Sequence, residues 1–153
     1  MIESIIISTL AADSALVALL ATYNSAPAIF SEEAPEEAEE PNITIGLTRN
    51  SGLDPTIQLF TLNVDFWDYD GSRVNSRAAA ERIEFVLDRA DLSTTRYSSI
   101  RCFFASGGPV SETDPRAIHY NSQFEIRAFR KKWIEQLDDP TTTTTTTTTT
   151  VSP

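Results

Sequence analysis

Few side chains in this sequence are able to do covalent chemistry: there is one cysteine, Cys102, and one histidine, His119. A working thiol–imidazole pair needs a third group to orient the base and a turn of backbone N–H groups to hold an oxyanion. Neither residue has such neighbours in sequence. Each sits in an alternating run that reads as a strand, Cys102 at an inward position and His119 at an outward one. They are read as a buried, inert thiol and an exposed strand histidine, with enzymatic use of either ranked last. Five glycines supply neither GxxxxGK[ST] nor GxGxxG, so no phosphate cradle and no cofactor are expected.

Two groups of acids invite a metal test. Asp65, Asp68 and Asp70 precede Gly71. If Gly71 were the sixth residue of a calcium loop, its first and twelfth positions would be Phe66 and Arg77, where the loop needs Asp and Glu. A strand end, a turn and a helix cap explain these aspartates better. The second group is SEEAPEEAEEP, Ser31 to Pro41, with the doublets Glu32–Glu33, Glu36–Glu37 and Glu39–Glu40. Lacking a glycine turn or fixed spacing, it reads as a solvated, self-repelling loop rather than a metal cage.

The elements that must position these groups follow from periodicity. Ile2, Ile5, Ile6 and Leu10, then Leu16, Val17 and Leu20, keep a helical spacing. Asp13 would fall on that apolar face in one continuous helix, so the pattern predicts two shorter helices with Asp13 or Ser14 capping the second. Charge inside the apolar stretch, and no base before Arg49, separate this segment from a signal peptide. Strands are predicted at Ala28–Phe30, Asn42–Thr48, Thr56–Asp68, Tyr97–Phe104 and Ala117–Arg130, with a turn over Asn50–Pro55 and a loop over Ser106–Asp114. Between the third and fourth strands a helix from about Arg73 to Ala90 carries Ala79, Ile83, Val86 and Ala90 on one stripe. The order predicts an α+β domain: a single, largely antiparallel or mixed sheet, with the N-terminal helices and one long helix packed on one face.

A chain of 153 residues with 41% apolar content supports one core. Residues 1–137 are assigned to the domain and 138–153, with ten consecutive threonines, to a low-complexity tail. That tail is read either as a linker or as an extended segment laid along a neighbouring subunit. No run of 18 apolar residues occurs, so no membrane span is expected. Net charge is −10 and unevenly spread: residues 1–70 hold twelve acids against Arg49 alone, a net −11, and the remainder is +1. Duplex binding needs the opposite bias, a basic face for phosphates. Such polarity suits copies or partners that meet unlike surface to unlike surface.

Three segments together resemble a known family: AIFSEEAPEEAEEPNITIG, LNVDFWDYDGSRVNSRAAAERIEFVLDRADL and AIHYNSQFEIRAFRK. In element order and scattered residues they are similar to the tail-completion, or tail-terminator-like, proteins of long-tailed bacteriophages, over roughly residues 10–130. The acidic loop and the polythreonine tail depart from the family pattern. What the resemblance implies is a structural virion protein, made in the host cytoplasm, that forms a generally hexameric ring on the head-proximal end of the tail tube. The ring stops tube growth and joins the tail to the capsid neck. Its implied partners are further copies of itself, the tail tube protein, head–tail connector or neck proteins, and DNA that passes without specific binding.

Ring closure needs heterologous contacts. The candidate acidic surface, facing the lumen or the next subunit, is Glu32, Glu33, Glu36, Glu37, Glu39 and Glu40. The candidate bases for a neighbour are Arg73, Arg77, Arg82, Arg127, Arg130, Lys131 and Lys132. Two alternatives stay open: a head-completion protein (neck adaptor or stopper), and a small acidic module that mimics DNA.

Overall fold

A computed structural model describes residues 2–50, 56–94 and 97–130. The chain opens with helices α1 (Ile2–Ala11) and α2 (Ser14–Val17). Asp13 separates them as predicted: it caps α2, its carboxylate accepting the Leu16 N–H at 2.8 Å. A small hairpin follows, β1 (Thr22–Tyr23) and β2 (Ala26–Pro27), where the sequence reads as loop. Its two turn residues, Asn24 and Ser25, both have positive φ (48° and 66°), the geometry whose twist matches a tight hairpin.

The main sheet comprises β3 (Ile29–Ser31), β4 (Asn42–Asn50), β5 (Ile57–Tyr69), β6 (Tyr97–Val110) and β7 (Ala117–Arg130), in the order β3-β4-β5-β7-β6. Every pairing is antiparallel except β3 with β4. Helix α3 (Arg73–Leu87) carries the chain from β5 to β6. These two strands run parallel with β7 between them, so the connection must cross the sheet face rather than turn at its end.

Burial along β5 alternates without a break, with Phe60, Leu62, Val64 and Phe66 inward. On β7, Ile118, Phe124, Ile126 and Ala128 share that side. Against it pack Ile2, Ile6 and Leu10 of α1, Leu16 of α2, and Ala79, Ile83 and Leu87 of α3. Each large side chain so buried contributes roughly 1.5–3 kcal/mol relative to exposure. The helix stripe differs slightly from expectation: Ser76 and Leu87 are buried, Val86 is half-buried, and Ala90 lies beyond the helix end.

The larger correction concerns Ser106–Asp114. Despite two glycines and a proline, β6 continues to Val110, paired with β7 out to His119 and shifted in register between Phe104 and Ser106. Pro109 is tolerated because β6 is an edge strand, where its missing N–H interrupts no ladder. The first half of the same edge is covered by residues 89–94, through Arg89 N–H to the Cys102 carbonyl (2.7 Å) and Leu92 N–H to Ile100 (3.0 Å). Residues 51–55 of the predicted Asn50–Pro55 turn, Lys131, Lys132 and the C-terminal tail lie outside the described residues.

Candidate functional site

All described α-helices pack on one side of the sheet; among the described residues, the opposite side is built from strand side chains, with the acidic loop at one end. That face is mostly polar and tied by cross-strand bonds: Asn50 to Thr61 (2.9 Å), Gln123 to Asn63 (3.2 Å) and Asn121 to Asp65 (2.8 Å). Register places Asn42, Trp67, His119 and Val110 in one row across its end, while Arg101 and Arg127 face each other near the other end.

The acidic loop stands at the Asn42 end. It links two parallel neighbours, β3 and β4, and must return the chain from the end of one to the start of the other. Its anchors are backbone bonds: Glu32 N–H to Ile45, Ala38 N–H to Pro35, and Ala21 N–H to the Pro41 carbonyl. Ala34, Pro35 and Ala38 are half-buried, and all six glutamates are exposed. Beneath the loop lies a pocket of about 390 Å³ lined by Glu32, Glu33, Glu40, Asn42, Thr44 and Trp67. The Trp67 indole N–H is directed at Thr44 Oγ1 (3.3 Å), and Asn42, only 4% exposed, leaves its side-chain oxygen without a donor.

His119 is not the exposed strand histidine the sequence suggests. Its side chain is 11% exposed, stacked on Trp67 with ring centroids 3.7 Å apart. Nδ1 meets Glu112 at 2.7 Å and Nε2 meets Asp65 at 2.8 Å. The cause is register: Trp67 stands directly opposite His119 on the same face. Two ionised carboxylates accept only, so the ring satisfies both when both nitrogens donate. Glu112 belongs to the β6–β7 connection, so its contact closes that hairpin on itself, while the Asp65 contact and the Trp67 stack tie His119 to β5. Beside it a second pocket, about 350 Å³, is lined by Arg73, Glu112, Asp114 and His119 among others. Asp114 is held well below the usual carboxylate range by Arg116, whose Nη2 lies at 3.0 Å, with further bonds from the Arg116 N–H and Tyr69 hydroxyl.

Cys102 faces the core as expected, fully buried, and burial pushes its thiol up to about 12, with Asp88 adding to the shift. It lies on the helix side of the sheet and His119 on the other, so the two form no dyad. Asp65, Asp68 and Asp70 are likewise dispersed. Asp65 bonds His119 and Asn121, and Asp68 is buried and accepts the Tyr69 N–H and the Ser76 hydroxyl. Asp70 adopts a left-handed turn conformation (φ 55°).

Several candidate bases have partners within the chain. Arg82 forks onto Asp13 (2.6 and 2.9 Å), Arg77 meets Glu81 (3.0 Å), and Arg127 meets Glu125 (2.6 Å). Arg130 buries its Nε without an acceptor, and Arg73 is exposed at the start of α3. Asn42 and Trp67 are the site residues that sequence reasoning missed. An Asn at a strand start and a Trp in an alternating strand look ordinary until pairing sets them side by side under the loop.

Residues 5–128 match the family described as Tail completion protein gp17. The chain belongs to this phage tail-completion family. Among solved structures, the tail-completion fold recurs in a chain from the virion of a native gene transfer agent particle. The TM-score is 0.68 at 18% identity, over 81% of this chain and 91% of that one. At that identity the likeness concerns the fold. Comparison with curated proteins finds no match. No helix among the described residues is long and apolar enough to cross a membrane. The family makes this chain a structural protein of the phage tail, which accords with the scattering of its reactive side chains.

Proposed function

We propose that the chain is a ring-forming tail terminator. Copies meet head to tail, about six closing a ring, and cap the head-proximal end of the tail tube in the virion. There they stop tube growth and present the surface that the neck proteins join. Residues 1–137 form the ring-building domain, and 138–153 a tail distinct from it.

The observation that carries this reading is the one-sided sheet with an acidic end. No described helix packs on that second face, whose strand side chains are offered to neighbours, and one subunit exposes six glutamates at a single end. Six copies concentrate about thirty-six such charges around one rim, a field that repels the phosphates of passing DNA and keeps it sliding. The bases Arg73, Arg77, Arg127 and Arg130, with Lys131 and Lys132, are the reserve from which neighbours draw. Arg82 serves its own subunit first, and Arg77 and Arg127 exchange their exposed pairs with Glu81 and Glu125 for a neighbour's acid.

Replacing Glu32, Glu33, Glu36, Glu37, Glu39 and Glu40 together with Gln tests the proposal. All six are exposed, so the monomer keeps its circular dichroism and melting temperature. Ring assembly, head joining or DNA ejection is impaired. Phage particles with normal assembly and infectivity in this background would contradict it.

A further inference from the structure

The pocket beneath the acidic loop has the composition of a receptor for a guanidinium group. Glu32, Glu33 and Glu40 bring carboxylates, which accept hydrogen bonds and carry negative charge. Trp67 adds an aromatic wall of the kind that attracts cations. Thr44 Oγ1 is oriented toward the Trp67 indole N–H (3.3 Å), which keeps that wall in place.

The decisive feature is Asn42. It is 4% exposed, it pairs with Trp67 and therefore lies on the same face of the sheet, and its side-chain oxygen has no donor. A buried carbonyl oxygen left unpaired costs about 1–3 kcal/mol; this one is closed to solvent although its residue lines the pocket, so an N–H of the occupant becomes its partner once the Asn42 side chain turns toward the pocket. Carboxylates cannot supply one. Arginine can, since it carries five donors in a planar fork, matches carboxylates bidentately and packs flat on aromatic rings.

We infer that this pocket binds an arginine side chain from a second copy of the chain. Charge polarity along the strands favours that occupant. The pocket opens at the Asn42 end of β4, among the acidic residues. Arg49, at the other end of the same strand, is exposed and has no acidic partner among the described residues. Seven residues of strand separate Asn42 from Arg49, roughly 23 Å. Socket and plug thus sit at opposite ends of one subunit, the arrangement a head-to-tail contact requires. The occupant's identity rests on the ring reading, whereas the pocket's preference for a guanidinium does not.

The test therefore has two parts. In the full-length protein, the indole N–H resonance of Trp67, assigned with Trp67→Phe, is followed during titration with Nα-acetyl-arginine amide and with its uncharged citrulline analogue. The inference expects a saturable shift with arginine only, lost in Glu32→Gln/Glu40→Gln. An unmoved resonance, or an equal response to citrulline, overturns the site. Glu40→Arg and Arg49→Glu are then made singly and together, and copy–copy association is read by cross-linking and native mass. Loss in each single variant with recovery in the double supports the contact. Association unchanged in the single variants, while the arginine amide still binds, overturns the second copy as occupant. A wild-type protein that never associates counts against the ring, and the titration still decides the pocket.

Discussion

Asp13 joins local and tertiary structure. Its Oδ1 accepts the Leu16 N–H that starts α2 and the Nε of Arg82 on α3, and its Oδ2 accepts Arg82 Nη2 at 2.6 Å. Arg82, followed by the Leu16 bond, holds the Asp13 carboxyl at about 2, below its ordinary 3.8. A depressed folded value means that the unfolded chain takes up this proton first as pH falls. The stabilisation is therefore complete above about pH 4 and drains away down to about pH 2. Asp13→Asn should lower stability at neutral pH by up to about 1 kcal/mol, from the loss of a partly exposed ion pair, since Asn keeps the cap. The difference in melting temperature from wild type should then close between pH 4 and 2. A gap constant across that range would contradict the assignment. Asp13 was legible as a cap because its charge interrupts an apolar helical face. Its partner Arg82, 69 positions away, was not: the helices were expected on one face of the sheet, but nothing local in either segment records which of their residues meet there.

At the scale of elements, the joint between β5 and α3 shows how little room the turn leaves. A Cβ on Gly71 would fall inside the contact distance of the Asp68 carboxylate. That buried carboxylate binds the Tyr69 N–H (2.8 Å) and the Ser76 hydroxyl (3.2 Å), tying the strand end to the first turn of the helix. Gly71→Ala should destabilise the fold by about 1–3 kcal/mol in chemical denaturation, as overpacking does. A neutral or stabilised variant would show that Asp68 moves aside freely. Periodicity made α1, α2, β4, β5, α3 and β7 readable, because each buries one face and exposes the other. It found the first half of β6 and failed at the second, where SGGPV offers turn-type residues and the ladder to β7 holds them in a strand. It failed too at β1–β2, whose two-residue strands are too short to carry a pattern. The acidic loop was recognisable as a loop between strands. That those strands run parallel, and that the loop roofs a pocket floored by Trp67 and Asn42, depends on pairing across the sheet.

For the whole molecule, the proposed function has a sheet whose described helices lie on one side, and whose acidic loop lies at one end, building a closed ring of like subunits. In the fold, Glu32–Glu40 and Glu112 lie near one end of the strands, with Asp114 paired to Arg116, and Arg49 lies near the other, with Arg101 and Arg127 paired to Asp91 and Glu125. In the proposed ring, head-to-tail closure would bring such ends together, with about six copies completing the circle. The most direct measurement is electron microscopy, with native mass, of the purified full-length protein alone and after addition to isolated tail tubes. Rings of about six copies with a central channel, free or seated at one end of each tube, are expected. Protein that stays monomeric or dimeric in both conditions, leaving tube ends bare, would contradict it.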